Sequence, residues 1–179
     1  MPYLVRSLSN LREQIDRAWP YRDRRTDGWL RWPANGKSYG HNPDGKGAVH
    51  AIDIDKDGIN PQWIVDHIYR GGGVLWYVIW NRQLWSNDYG WKPYAYHGLS
   101  PHTDHMHIEV RHTAAGENFT GDWRMPGAPG ESMGSAPYPG DAYGDADPVV
   151  PMASTAGGIS AGGTQAKATA HAVALLRNY

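Results

Sequence analysis

The segment His105-Met106-His107-Ile108-Glu109-Val110 alternates polar and apolar residues without a break. That is the period of an extended strand, whose successive side chains point to opposite faces. Met106, Ile108 and Val110 are then expected to face a core, with His105, His107 and Glu109 together on the other side. Two imidazoles two residues apart on one face can address a single metal ion or reacting group. The solvated face of an edge strand gives the same pattern.

A second strand is expected over Val49–Ile54. Within Ala48-Val49-His50-Ala51-Ile52-Asp53-Ile54-Asp55, alternation groups Ala51, Asp53 and Asp55 on one face and Ile52 and Ile54 on the other. Adjacent carboxylates on a buried strand are costly unless paired or metal-bound. Just upstream, Ser38-Tyr39-Gly40-His41-Asn42-Pro43 places a histidine in a Gly- and Asn-rich loop. His41, a strand aspartate and His-x-His together supply neutral nitrogens and carboxylate oxygen. That donor set suits a catalytic zinc with three protein ligands and one open position. Asp53-x-Asp55-x-Asp57-Gly58 imitates the start of a calcium loop. Its twelfth position is Ile64, where a bidentate glutamate is required, and a strand precedes it instead of a helix.

Further elements follow outward from these two strands. Leu8, Leu11, Ile15 and Trp19 have helical spacing, with Asn10 and Glu13 read as a cap pair and Pro20 as the stop. Asn60-Pro61 opens a second helix bearing Ile64, Val65 and Ile68, ended by Gly71. Val74–Trp80 is a continuous apolar run, expected as a central strand, and Asn81-Arg82 turns it into Gln83–Trp85 as a hairpin. The class expected is α+β, a small antiparallel sheet with flanking helices. Trp76, Trp80, Trp85 and Trp91 are read as core and cleft wall, His67 and His97 as structural. His102, five residues before His107, is within reach of the same cleft.

Composition divides the chain of 179 residues. All nine Trp lie at or before Trp123, and only His171 of the nine His lies beyond His112. Residues 125–165 hold nine Gly and six Pro with no apolar period, a composition that cannot offset its ordering entropy by burial. The expected organisation is a catalytic unit over 1–124, a flexible linker over 125–165 and a short helix or tail over 166–179. A unit of that size buries roughly two-thirds of its surface, enough for a core. The net charge of -1 argues against nucleic acid as a partner. No run of about 18 apolar residues is present, so no membrane insertion is expected. The chain has no cysteine, so any zinc must be held by histidine and carboxylate.

Arg25-Thr26-Asp27-Gly28-Trp29, Ser38 through Pro43, Gly47-Ala48-Val49-His50-Ala51-Ile52-Asp53 and Pro101-His102-Thr103-Asp104-His105-Met106-His107 resemble, in that order, actinobacteriophage endolysin peptidase domains of the D-Ala-D-Ala carboxypeptidase-like (LAS-type) zinc peptidases. The resemblance covers most of residues 3–124. It implies a LAS/hedgehog-type fold and zinc held by His41, Asp53 and His107. The family commonly places its first histidine seven residues before the aspartate. Position 46 here is Lys, and His41 precedes Asp53 by twelve, so His41 is assigned and His50 held in reserve. The resemblance also implies a general base at Asp104, with His105 stabilising the oxyanion or itself acting as base, and an arginine from Arg22–Arg25 assisting.

The function so implied is a zinc-dependent phage lysin cleaving the stem or cross-bridge peptide of bacterial peptidoglycan. It would be made in the host cytoplasm and act at the cell wall, released by a holin or delivered in a virion. The competing expectation is a virion-associated or structural module with this fold and a degenerate site, the C-terminal tail contacting virion proteins.

Overall fold

In the computed structural model, which describes residues 1–31 and 39–127, the alternating segment forms the longest-paired strand of an antiparallel sheet. The elements in chain order are β1 (Tyr3–Leu4), α1 (Arg6–Ala18), β2 (Ala48–Val49), β3 (Ala51–Asp55), α2 (Pro61–His67), β4 (Leu75–Trp80), β5 (Gln83–Ser86), β6 (Tyr94–Ala95), β7 (His105–Val110) and α3 (Ala114–Asn118), with short 3-10 turns at Tyr39–His41 and Asn87–Tyr89. The sheet order is β3-β7-β4-β5-β6, and β1 pairs with β2 in a separate parallel ribbon. The architecture is therefore α+β, with helices and a small antiparallel sheet. Ser38, the expected linker from 128 onward and the helix or tail over 166–179 lie outside the described residues.

The faces separate as alternation requires. Ile52, Ile54, Met106, Ile108, Val110 and Val78 join Leu8, Leu11 and Ile15 of α1 and Ile64 and Val65 of α2 in one buried core. The opposite sheet face carries Asp53, His105, His107 and Glu109. Beside them, Tyr77, Ile79, Leu84 and Tyr96 form a smaller apolar cluster. The segment after β6 is held by backbone bonds from Asn81 N to His102 O (2.8 Å) and from Arg82 N to Pro101 O (3.0 Å). The β4–β5 hairpin turns through Asn81 (φ 47°) and Arg82 (φ 62°), both left-handed, as a two-residue type I′ turn demands.

Three expectations change in detail. α1 begins at Arg6, ahead of the Asn10–Glu13 pair, and its N-cap Val5 makes no side-chain cap bond. Asn10 is a helix-interior residue whose amide donates to Gly121 O instead (2.9 Å). α2 is capped as read, Asn60 Oδ1 accepting from Trp63 N (3.0 Å), but it ends at His67 because Ile68 turns extended (ψ 138°) before Gly71 is reached. The Val49–Ile54 strand is interrupted at His50, where the chain leaves β1 for β7: His50 N donates to Gly40 O and His50 O accepts from Val110 N.

Trp123 and Met125 are 0% and 2% exposed and belong to the main core, so packing extends past the compositional break at 124. Trp123 N donates to Gln14 Oε1 (2.8 Å), and its indole N–H donates to Ser7 O (3.2 Å). Truncating a fully buried tryptophan leaves a large cavity, so Trp123→Ala is expected to cost about 3–5 kcal/mol. Urea unfolding at unchanged m-value measures it, and a loss below about 1 kcal/mol would show that this segment is not part of the core.

Candidate metal centre

The register of β3 against β7 pairs Asp53 with His107, Asp55 with His105 and Ala51 with Glu109. Paired residues share a face, so the two polar sequence patterns meet. His41 reaches them from the 3-10 turn Tyr39–His41, whose backbone is braced by Arg31 N on His41 O (3.1 Å) and by His50 N on Gly40 O (3.0 Å). Gly40 is required by close approach: a Cβ there would lie 2.2 Å from Glu109 Oε2 and 2.6 Å from the Ala51 Cβ.

Three donor atoms converge. His41 Nε2 lies 3.2 Å from Asp53 Oδ1 and 3.1 Å from His107 Nδ1, and His107 Nδ1 lies 3.1 Å from the same Asp53 oxygen. Ligands about 2.0–2.1 Å from one tetrahedral ion are about 3.3–3.4 Å apart, so a cation fits after opening the triangle by a few tenths of an ångström. The hydrogen-bond chemistry agrees. His41 Nδ1 faces the Trp29 carbonyl at 3.1 Å, which can only accept, so in the neutral ring Nε2 presents its lone pair inward. One proton on His107 Nδ1 cannot satisfy both His41 Nε2 and Asp53. A divalent cation satisfies all three. These residues form a possible metal-binding group.

Charge explains what the site does without a cation. Burial pushes the His107 imidazolium down, but the Asp53 hydrogen bond and the nearby Glu109 carboxylate outweigh it and hold the group up at about 9. Burial works against the Asp53 carboxylate, but its bonds to His107 and His41 hold it well below the usual carboxylate range. His102, in the left-handed region (φ 50°) and 7% exposed, packs edge-on against His105 and His107 (ring centroids 5.0 and 5.6 Å). Burial, with the neighbouring histidines, pushes it down to about 3, so it stays neutral. It packs against the same two histidines, as its spacing allowed.

The remaining candidates fall into place. His105 Nε2 lies 3.8 Å from Asp53 Oδ1, and its Nδ1 lies 2.8 Å from Asp104 Oδ1. The Asp104 side chain is 65% exposed and stands against the ring nitrogen turned away from Asp53. His50 does not join the trio. It faces Glu117 (3.2 Å) and stacks on His112 (centroids 3.9 Å), as expected for a residue three positions from Asp53. Asp44 lies with His50 and Glu117, but its Oδ1 already accepts from Lys46 N and Ala48 N in its own turn.

Arg22 is not a substrate ligand: it is 3% exposed and clamped by Asp16 (2.6 Å) and bidentately by Asp27 (2.8 and 2.6 Å). Arg24 and Arg25 pair with Asp16 and Asp23. Local charge balance governs this run, which spacing could not show. Asp55 accepts from Thr26 N and Asp57 N, so the calcium-like motif is a structural turn. Glu109 shares the face of His107, but alternation alone assigns it no partner. It is 1% exposed and accepts from Tyr77 Oη and His112 Nε2. No family model, curated protein or solved structure matches the chain.

With chelator present, stability should fall as pH rises from about 7 through about 9. His107 is raised in the folded state above its unfolded value of about 6.5, so its contribution is complete below that value and is lost as the folded group titrates. Chemical unfolding at stepped pH measures this. A curve flat across that interval, or one unchanged by His107→Ala, would contradict the assignment.

Proposed function

We propose that the chain is a zinc-dependent peptidase that cleaves peptide bonds in bacterial peptidoglycan. The observation that carries the reading is the His41–Asp53–His107 triangle with His105 beside it: three candidate ligands, and a further imidazole nitrogen 3.8 Å from the Asp53 oxygen that the two histidines share. Two imidazoles and one carboxylate make the ligand set of a hydrolytic zinc rather than a structural one. The substrate class rests on the ordered resemblance to endolysin peptidases, and with it the LAS-type fold and action at the cell wall. Among the described residues no helix is long and apolar enough to cross a membrane.

Bound zinc would lower the pKa of a water toward neutrality and polarise the scissile carbonyl. His105 Nε2 accepts the proton as the water oxygen attacks the carbonyl carbon, and returns it to the amine nitrogen as the C–N bond breaks. Asp104 beside Nδ1 holds the His105 ring in the tautomer that leaves Nε2 free and steadies the imidazolium that forms. This reverses the order implied by the resemblance, in which the carboxylate takes the proton. Two facts favour it: Asp104 is largely exposed, and it stands against the outer nitrogen of His105. His41 and His107 act as ligands, and buried His102 packs against His105 and His107.

Peptidoglycan digestion followed by mass analysis should release fragments with new free amino termini, and chelator or His107→Ala should abolish them. Intact wall with zinc bound would sink the peptidase reading in favour of an inactive module. His105→Ala should cost about 10²–10⁴ in kcat, and Asp104→Asn distinctly less. The reverse order would return the base to Asp104.

A further inference from the structure

We infer that Glu109 is a positioning and charge-balancing residue for the metal centre, held in place by Tyr77, His112 and the bare backbone of Gly40; this rests on the metal-site reading above. His107 offers Nδ1 to the site, so with a cation there its ring carries its proton on Nε2. That nitrogen is buried and has no hydrogen-bond partner. Glu109 Oε2 lies 3.5 Å from it, an ion-pair contact slightly too long for a hydrogen bond. Closing it by a few tenths of an ångström completes a carboxylate–histidine–metal arrangement, which fixes ring orientation and strengthens the ligand.

The rest of the contacts aim Glu109. Oε2 accepts from Tyr77 Oη, which arrives from the adjacent strand β4 in the Tyr77–Glu109 register pair. Oε1 accepts from His112 Nε2 at 3.1 Å. The Tyr77 ring stacks on His107 (centroids 5.6 Å, 21° between planes), so one side chain packs the ligand and holds its partner. The Gly40 Cα hydrogens occupy the space beside Oε2 that a methyl would take. A buried carboxylate with donors on both oxygens stays ionised instead of taking up a proton.

Charge supplies the second reason. A dication on two neutral imidazoles and Asp53 leaves one positive charge uncompensated in a buried site. Glu109 brings the sum to zero. A glutamine of the same shape would leave that charge uncompensated and could accept from only one of the two donors.

The experiment is zinc competition against a chromophoric chelator on the full chain, with the cobalt-substituted absorption spectrum as a second readout. Glu109→Gln is expected to weaken zinc about 10–100-fold and shift the cobalt bands, with far-ultraviolet circular dichroism unchanged. Tyr77→Phe, which leaves the charge and loosens its aim, is expected to lose less, about 3–10-fold, and gives the answer if Glu109→Gln does not fold. Wild-type affinity and an unshifted spectrum in the folded variants would overturn the role of Glu109 while leaving the metal site standing. Failure of the wild-type chain itself to bind zinc would overturn the metal-site reading and this inference together.

Discussion

The pairing of β3 with β7 is the constraint on which the site depends. One antiparallel register sets Asp53 against His107 and Asp55 against His105, and places the branched apolar residues of both strands on the other face. A slip of one residue would send every polar group of one strand into the core. Hydrophobic burial therefore fixes the geometry of the candidate site: Ile52, Ile54, Met106 and Ile108, all essentially inaccessible, choose the register, and Asp53 and His107 follow. The energy that brings these polar side chains together comes from the opposite, apolar face.

His41 is the exception, because no strand carries it. Its position comes from backbone bonds to Arg31 and His50 and from the Trp29 carbonyl on its ring. The Trp29 segment is in turn tied to the sheet by the Gly28–Asp53 bridge and to α1 by the Arg22–Asp16 and Arg22–Asp27 pairs. The buried Arg22 thus links α1 to the loop that leads to Trp29.

Much of this was legible in the sequence because strand alternation is a local rule. His105, His107 and Glu109 could be grouped and the β4–β5 hairpin placed without knowing the tertiary structure, whereas His50 stays a reserve ligand until Glu117 and His112 are placed against it. What could not be read depended on contacts across the chain. Asn10 looks like a cap until Gly121 is placed against it. Arg22 looks like a substrate ligand until Asp16 and Asp27 surround it. Asp104 has the sequence position of a general base, but which ring nitrogen of His105 it meets is a matter of rotamer and loop path. Glu109 was visible on the right face, yet its partners Tyr77 and His112 come from a neighbouring strand and from the turn after β7. The tie between Trp123 and α1 has no local signal, since composition changes just where packing still continues.

The proposed peptidase requires one cation held by two imidazoles and one carboxylate. X-ray absorption at the zinc edge of the purified full chain tests it most directly. The expected first shell is nitrogen and oxygen alone at about 2.0–2.1 Å, with outer-shell scattering from two imidazoles that falls to one in His107→Ala. Zinc without imidazole scattering, or a chain that retains no zinc after dialysis, would contradict it.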